Sequence, residues 1–254
     1  MTATAPADEL LVADSFRVRA NHGVAQVRGW HRHVARFSDS AHAAAQENGA
    51  ATWLTHRLPD FLTQSTTDIA AAGAGFPRLE LWRTAGDGLR LQLSLRSLPP
   101  LGVEVSLRTA ADIRVPTPER KGPNIERFGA LNRTLGAEAV RLNANGHLRE
   151  GATTSLLWWE GDTLCRVPAQ ERVCSVTEAL LMQITVDHGI PTVTREIHAA
   201  DLTGAEVWAV NALHGIRTVS AIDGVPMPKP DPDRLTRFRA ALDQCWEPVR
   251  VTGE

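Results

Sequence analysis

Two of the chain's 254 residues are lysines, against 25 arginines. One of them, Lys121, stands in the polar stretch TPERKGPNIERFG. A lone lysine in such a loop is usually a solvated charge. It is also a primary amine, which can condense with a carbonyl where a guanidinium cannot. The other, Lys229, lies in PMPKPDP, a proline-rich turn that reads as surface. Glu150, in HLREGATTS, follows a polar turn, and Gly151 behind it lets the backbone pass close to a neighbour. In CSVTEALL, Ser175, Val176 and Thr177 open a helix. Ser175 or Thr177 suits an N-cap, and the same first-turn N–H groups suit an anion. Arg36, in HVARF, reads alone as a surface helix residue, with a fork suited to an oxyanion.

These residues need elements to hold them. Residues 11–28 read as a hairpin, with LVADSFRVR and VAQVR around ANHG. Trp30, Val34, Phe37 and Ala41 recur at helical spacing up to Gly49, and a second helix from about residue 51 should be kinked or interrupted by Pro59. RLELWR, LRLQLSLR and GVEVSLR alternate as strands. NIERFGALNRTLG is helical, and AEAVRLN, HLREG, TSLLWW and TLCRVP form strands between turns. VTEALLMQITVDHG is a helix with a glycine stop, followed by the strands IPTVTREI, AEVWAVN and IRTVSAIDG and a terminal helix over 231–246. Helices mixed with strands, without regular βα alternation, predict an α+β fold.

Composition excludes several function classes. The formal charge is -2 and no long basic tract is present, which argues against a nucleic-acid partner. No run approaches 18 apolar residues, so no membrane span is expected. MTATAPADELLVADS has no basic-then-apolar order and reads as a short flexible arm rather than a secretory signal, so the expected location is cytoplasmic. Cys165, Cys174 and Cys245 are an odd, widely spaced set without CxxC, which suggests neither a disulfide framework nor a metal site.

HVARF (33–37), KGPN (121–124), LREGATTSLLWW (148–159), CSVTEALLMQI (174–184) and VWAVNALHGIRTVSAIDG (207–224), taken in order, resemble the class IV aminotransferases. These are pyridoxal-phosphate enzymes of fold type IV, and they include branched-chain aminotransferase, D-amino-acid aminotransferase and 4-amino-4-deoxychorismate lyase. The resemblance implies two domains. A smaller N-terminal α/β domain would span 1–115 and a larger, barrel-like, cofactor-binding domain 116–254, with a linker near 112–121, so that Lys121 sits where the two meet. It implies pyridoxal 5'-phosphate as cofactor and Lys121 as the Schiff-base residue, with Asn124 in the spacer after it. Glu150 would lie against the pyridine nitrogen, where a carboxylate keeps the ring protonated and electron-withdrawing. The amides of Val176 and Thr177, together with Arg36, would hold the phosphate. Ser155 and Ala212 fall at cofactor-binding positions. The resemblance further implies a small-molecule amino substrate and a homodimer, to which Trp30, Phe37 and Trp82 could contribute or serve equally as core.

Three departures bear on the reaction. Ser155 replaces the family's usual asparagine, and the loop Asn211–Gly215 has Asn211, Ala212 and Leu213 where many members carry a hydroxyl residue. The chain has no tyrosine, so any step using a phenol is missing or falls to His33, His31 or a tryptophan. NALHG favours the lyase, which turns 4-amino-4-deoxychorismate into 4-aminobenzoate and pyruvate. An aminotransferase acting on branched-chain or D-amino acids is the alternative, and a non-catalytic relative the second. His214 and Arg217 are candidates for a substrate carboxylate or for loop surface.

Overall fold

The computed structural model describes residues 7–110, 113 and 115–250. Residues 1–6 of the expected N-terminal arm, and residues 112 and 114 of the expected linker, lie outside the described residues, whereas Glu9–Ser15 of that arm are not flexible but form a largely buried strand paired in a sheet.

The chain begins with Glu9–Ser15 (β1), Val18–Asn21 (β2), Val24–Arg28 (β3), Trp30–Glu47 (α1), Ala51–Ala72 (α2), Arg78–Arg83 (β4) and Leu89–Ser94 (β5). β1, β4 and β5 form an antiparallel sheet in that order. β2 and β3 form a hairpin whose turn residues His22 and Gly23 both have positive φ, 48° and 79°. The hairpin expected over 11–28 is therefore only its second half. Phe16, fully buried against Trp30 with ring centroids 5.3 Å apart, marks the break where the chain leaves one sheet for another. Pro59 does not interrupt α2. The carbonyl its missing N–H would have served belongs to Thr55, which is exposed and can bind water.

Glu104–Ala110 (β6), Ile125–Leu135 (α3), Glu138–Leu142 (β7), Leu148–Gly151 (β8), Ser155–Glu160 (β9), Thr163–Arg166 (β10), Val176–Asp187 (α4), Thr192–Thr194 (β11), Glu206–Asn211 (β12), Gly215–Ile222 (β13), Val225–Pro226 (β14) and Pro232–Asp243 (α5) follow. They build a mixed sheet in the order β11-β10-β9-β12-β13-β6-β7-β8, with β14 on β13. The sheet curls until its ends meet. Leu148 N–H donates to Ile197 O at 2.9 Å, and His147 bridges His198. Strand alternation then buries both faces. Leu156 and Trp158 of β9 point inward with Val140, Val207 and Val219. Leu157 and Trp159 point outward, beneath Leu181 of α4 and Phe238 of α5. Each such side chain contributes about 1.5–3 kcal/mol of burial.

Trp246–Pro248 (β15) pairs with β3, so Trp246 lies on a strand and not in the terminal helix expected over 231–246. The compact units part near residue 99, not after 115. One takes in Met1–Pro99, Arg120–Pro123 and Trp246–Glu254, the other Pro100–Glu119 and Asn124–Cys245. β6 explains the shift, because its parallel pairing with β13 and β7 places it in the curled sheet. Gly122 explains the return of 120–123. Its φ is +138°, and a Cβ there would lie 2.6 Å from Ala13 N and 2.8 Å from Val12 Cα.

Gly122→Ala is expected to destabilise the chain by about 2 kcal/mol through overpacking and strain. Gly129→Ala, inside α3 with only the flexible Arg133 guanidinium near at 3.5 Å, should stabilise it by up to about 1 kcal/mol. Denaturant unfolding of both variants checks the pair.

Candidate active site

In the first unit the amine is positioned by β1. Ala13 N–H donates to the Lys121 carbonyl at 2.8 Å, and Lys121 is half-buried. The next residue, Asp14, carries a carboxylate that is 1% exposed. α1 supplies its partners from one face, three residues apart. His33 Nδ1 lies 2.7 Å from Oδ1, Arg36 Nε donates to Oδ2 at 2.7 Å, and Arg36 Nη2 donates to Oδ1 at 2.9 Å. Burial pushes the Asp14 carboxyl up, but Arg36 and His33 outweigh it and hold it well below the usual carboxylate range. Burial pushes His33 down. Asp14 opposes that shift, and the charges of Arg36 and Lys121 add to it, so the imidazole is neutral at pH 7. An ionised carboxylate only accepts, which puts the ring proton on Nδ1.

In the second unit Glu150 sits on β8 opposite Arg141 of β7, next to a bulge. Arg141 Nη2 donates to Oε1 at 3.0 Å, and Val173 N–H donates to Oε2 at 3.1 Å. Burial raises the Glu150 pKa to about 7, against the lowering by Arg141 and the Val173 amide. Val173 is held in a loop that Arg172 ties down. Its guanidinium forks onto Glu178 at 2.6 and 2.7 Å, and Nε donates to Pro168 O at 2.7 Å. Three residues on, α4 begins. Ser175 is its N-cap, accepting from Glu178 N–H at 3.2 Å, so Val176 and Thr177 N–H belong to the first turn, which lacks intrahelical partners. Glu150 and the α4 N-terminus are thus joined through one short loop.

The turn after Glu150 is shaped by a second buried carboxylate. Glu138 accepts from Thr153 N–H at 2.6 Å, from the Thr153 hydroxyl at 2.9 Å and from that of Thr154 at 3.2 Å. Gly151 is required there, since a Cβ would lie 2.2 Å from Thr154 Oγ1. Ser155 is buried on β9, paired with Val210. Ala212 is half-buried in the turn joining β12 and β13, where Asn211 Oδ1 accepts from Leu213 and His214 N–H at 3.1 and 2.8 Å. Asn211 Nδ2 also donates to Thr153 O at 3.3 Å, tying this turn to the one after Glu150. Arg217 is not on a loop surface. It is 8% exposed on β13, its Nη2 lies 3.8 Å from Glu138, and its Nε and Nη2 have no hydrogen-bond partner among the described residues. His214 Nδ1 accepts from Gly102 N–H at 3.1 Å. Lys229 is exposed, as read from its proline-rich surroundings.

Arg36 and Lys121 therefore gather around β1, and Glu150, Ser155, Val176, Thr177 and Ala212 around one end of the curled sheet. Sequence reasoning missed Asp14, Glu138, Arg141 and Arg172. Some signals were present: His33 is a polar residue on the apolar stripe of Trp30 and Phe37, and Ser175 to Glu178 has capping-box spacing.

Glu150 yields a prediction with a definite sign. The carboxyl binds its proton more tightly folded than unfolded, so its contribution to stability is full below about pH 4.5 and is lost as pH rises through about 7. Unfolding of the cofactor-free chain at pH 5 and pH 8 should show Glu150→Gln gaining on the wild type at the higher pH, by up to about 3 kcal/mol. A pH-independent difference contradicts it.

Among known proteins, the family model for amino-transferase class IV matches residues 11–222. Branched-chain amino acid aminotransferase from the bacterium abbreviated T.th., solved with pyridoxamine 5'-phosphate, has a TM-score of 0.76 at 17% identity over 94% of this chain and 89% of that one. A hypothetical aminotransferase from Mycobacterium tuberculosis, with α-ketoglutarate and PMP bound, has a TM-score of 0.73 at 17% identity, covering 96% and 93%. A candidate 4-amino-4-deoxychorismate lyase from Legionella pneumophila has a TM-score of 0.74 at 18% identity, covering 92% and 90%. No curated protein sequence matches the chain. At these identities the solved structures speak for the fold, which is that of the fold type IV enzymes. The family match covers most of the chain, which therefore belongs to the class IV aminotransferases and is a pyridoxal-phosphate-dependent enzyme.

Proposed function

We propose that the chain is a lyase that converts 4-amino-4-deoxychorismate to 4-aminobenzoate and pyruvate. The observation carrying this choice is Arg217, a buried cation with two nitrogens that have no hydrogen-bond partner among the described residues, beside the β12–β13 turn that is tied to the turn after Glu150. Glu138, at 3.8 Å, offsets the Arg217 charge without hydrogen-bonding it, and buried donors without acceptors are costly, a cost that an anionic substrate group would relieve. The proposed substrate carries two carboxylates.

The donor set suits pyridoxal phosphate. Lys121 offers a half-buried primary amine. Glu150, with a pKa near 7, can hold a proton shared with a ring nitrogen. The α4 amides of Val176 and Thr177, with Arg36, offer N–H donors and positive charge for a phosphate. When bound, the cofactor supplies the electron-withdrawing ring that stabilises charge on the substrate carbon.

In this reading Lys121 takes the proton from the ring carbon that bears the substrate's amine. Its ordinary pKa is about 10.4, which neighbouring cations and burial must lower for it to act as a base near neutrality. Loss of that proton, with departure of the enolpyruvyl oxygen, leaves an aromatic ring. Lys121 then returns a proton to the enol, giving pyruvate. The atoms balance within one substrate, so no second substrate or water is consumed. The paired assembly of two chains belongs to the same reading.

Purified holoenzyme should release 4-aminobenzoate and pyruvate in equal amounts. Conversion of an amino acid and 2-oxoglutarate without 4-aminobenzoate would make it an aminotransferase, and neither reaction would favour the non-catalytic reading. Arg217→Gln should raise KM for the dicarboxylate about 10- to 100-fold, the loss of a charged hydrogen bond, with a smaller effect on kcat.

A further inference from the structure

The Asp14–His33–Arg36 cluster is expensive to bury and, Arg36 apart, supplies none of the groups proposed to touch the cofactor. An ion pair taken out of water repays its desolvation poorly, so stability alone is a weak reason for it. What it does provide is orientation. Asp14 takes Arg36 in a fork, through Nε at 2.7 Å and Nη2 at 2.9 Å. That fixes the guanidinium plane. His33, buried and 2.7 Å from Oδ1, fixes the carboxylate in turn, and its ring packs on Phe16 at 5.1 Å. The residue before Asp14 is Ala13, whose N–H holds the Lys121 carbonyl.

Building on the proposed roles of Arg36 and Lys121, we infer that Asp14, braced by His33, is a positioning residue that presents Arg36 to the cofactor's phosphate. The same strand holds the Lys121 backbone, so the anion grip and the amine share one support. Asp14 acts only through Arg36, and its effect is therefore confined to the phosphate.

The test compares pyridoxal phosphate with pyridoxal, which lacks the phosphate, by titrating the cofactor-free full-length chain and following cofactor absorbance. Asp14→Asn should weaken pyridoxal phosphate about 10- to 100-fold, the range seen when outer partners of a bound group are lost, and leave pyridoxal unchanged. In an Arg36→Ala background, Asp14→Asn should add no further loss. If Asp14→Asn does not fold, His33→Asn, whose amide can replace the Nδ1 donor, should retain phosphate-specific affinity that His33→Leu loses. Equal losses for both ligands, additivity with Arg36→Ala, or unchanged binding by Asp14→Asn overturns the inference alone. A wild-type chain that binds neither ligand overturns the functional reading, and this inference with it.

Discussion

One backbone hydrogen bond, from Ala13 N–H to the carbonyl of Lys121, decides where the chain's candidate amine is held. It forms because Gly122 brings the backbone against Val12 and Ala13 at a separation no Cβ tolerates, in a conformation rare for any other residue. A loop lysine would otherwise be a mobile, solvated charge. Here its main chain is fastened to a buried strand. The same strand carries the carboxylate that organises Arg36 and His33. Position and electrostatics therefore come from consecutive residues of one strand, the first through its backbone and the second through its side chain.

The curled sheet solves a different problem. Both of its faces are apolar, yet its end carries Glu150, Glu138, Arg141, Arg172 and Arg217 in near-complete burial. Most of these charges are met by hydrogen bonds, as Arg172 is by Glu178 and Glu138 is by the threonines after Gly151. Glu150 is different. Its partners do not offset the cost of burial, and its carboxyl is left near 7, close to balance between its two forms. That is unfavourable for the cofactor-free fold at high pH and would suit the role proposed for Glu150, holding a proton beside a ring nitrogen. On that proposal, stability is given up where the chemistry needs a poised acid.

Much of the fold was legible because the patterns are local. Strand alternation in RLELWR and SLLWWE, the stripe of α1 and the cap of α4 each lie within a few residues of sequence. The misreadings came from long-range constraints. Nothing local says that β1 and β2 enter different sheets, that Trp246 returns to pair with β3, or that β6 joins the curled sheet. Pro59 misled because the cost of a helical proline depends on whether the freed carbonyl can meet water. The motif residues were legible as a set, but their partners were not. Asp14 and Arg36 are 22 residues apart and Glu150 and Val173 are 23, distances over which composition and spacing carry no signal.

The central claim is that Lys121 is the amine that joins the cofactor. Reduction of the pyridoxal-phosphate-loaded chain with borohydride, followed by peptide mass analysis, tests it most directly. The account predicts one stable pyridoxyl adduct, on the peptide containing Lys121, and none on that containing Lys229. An adduct elsewhere, or none at all in a chain that has bound the cofactor, would contradict it.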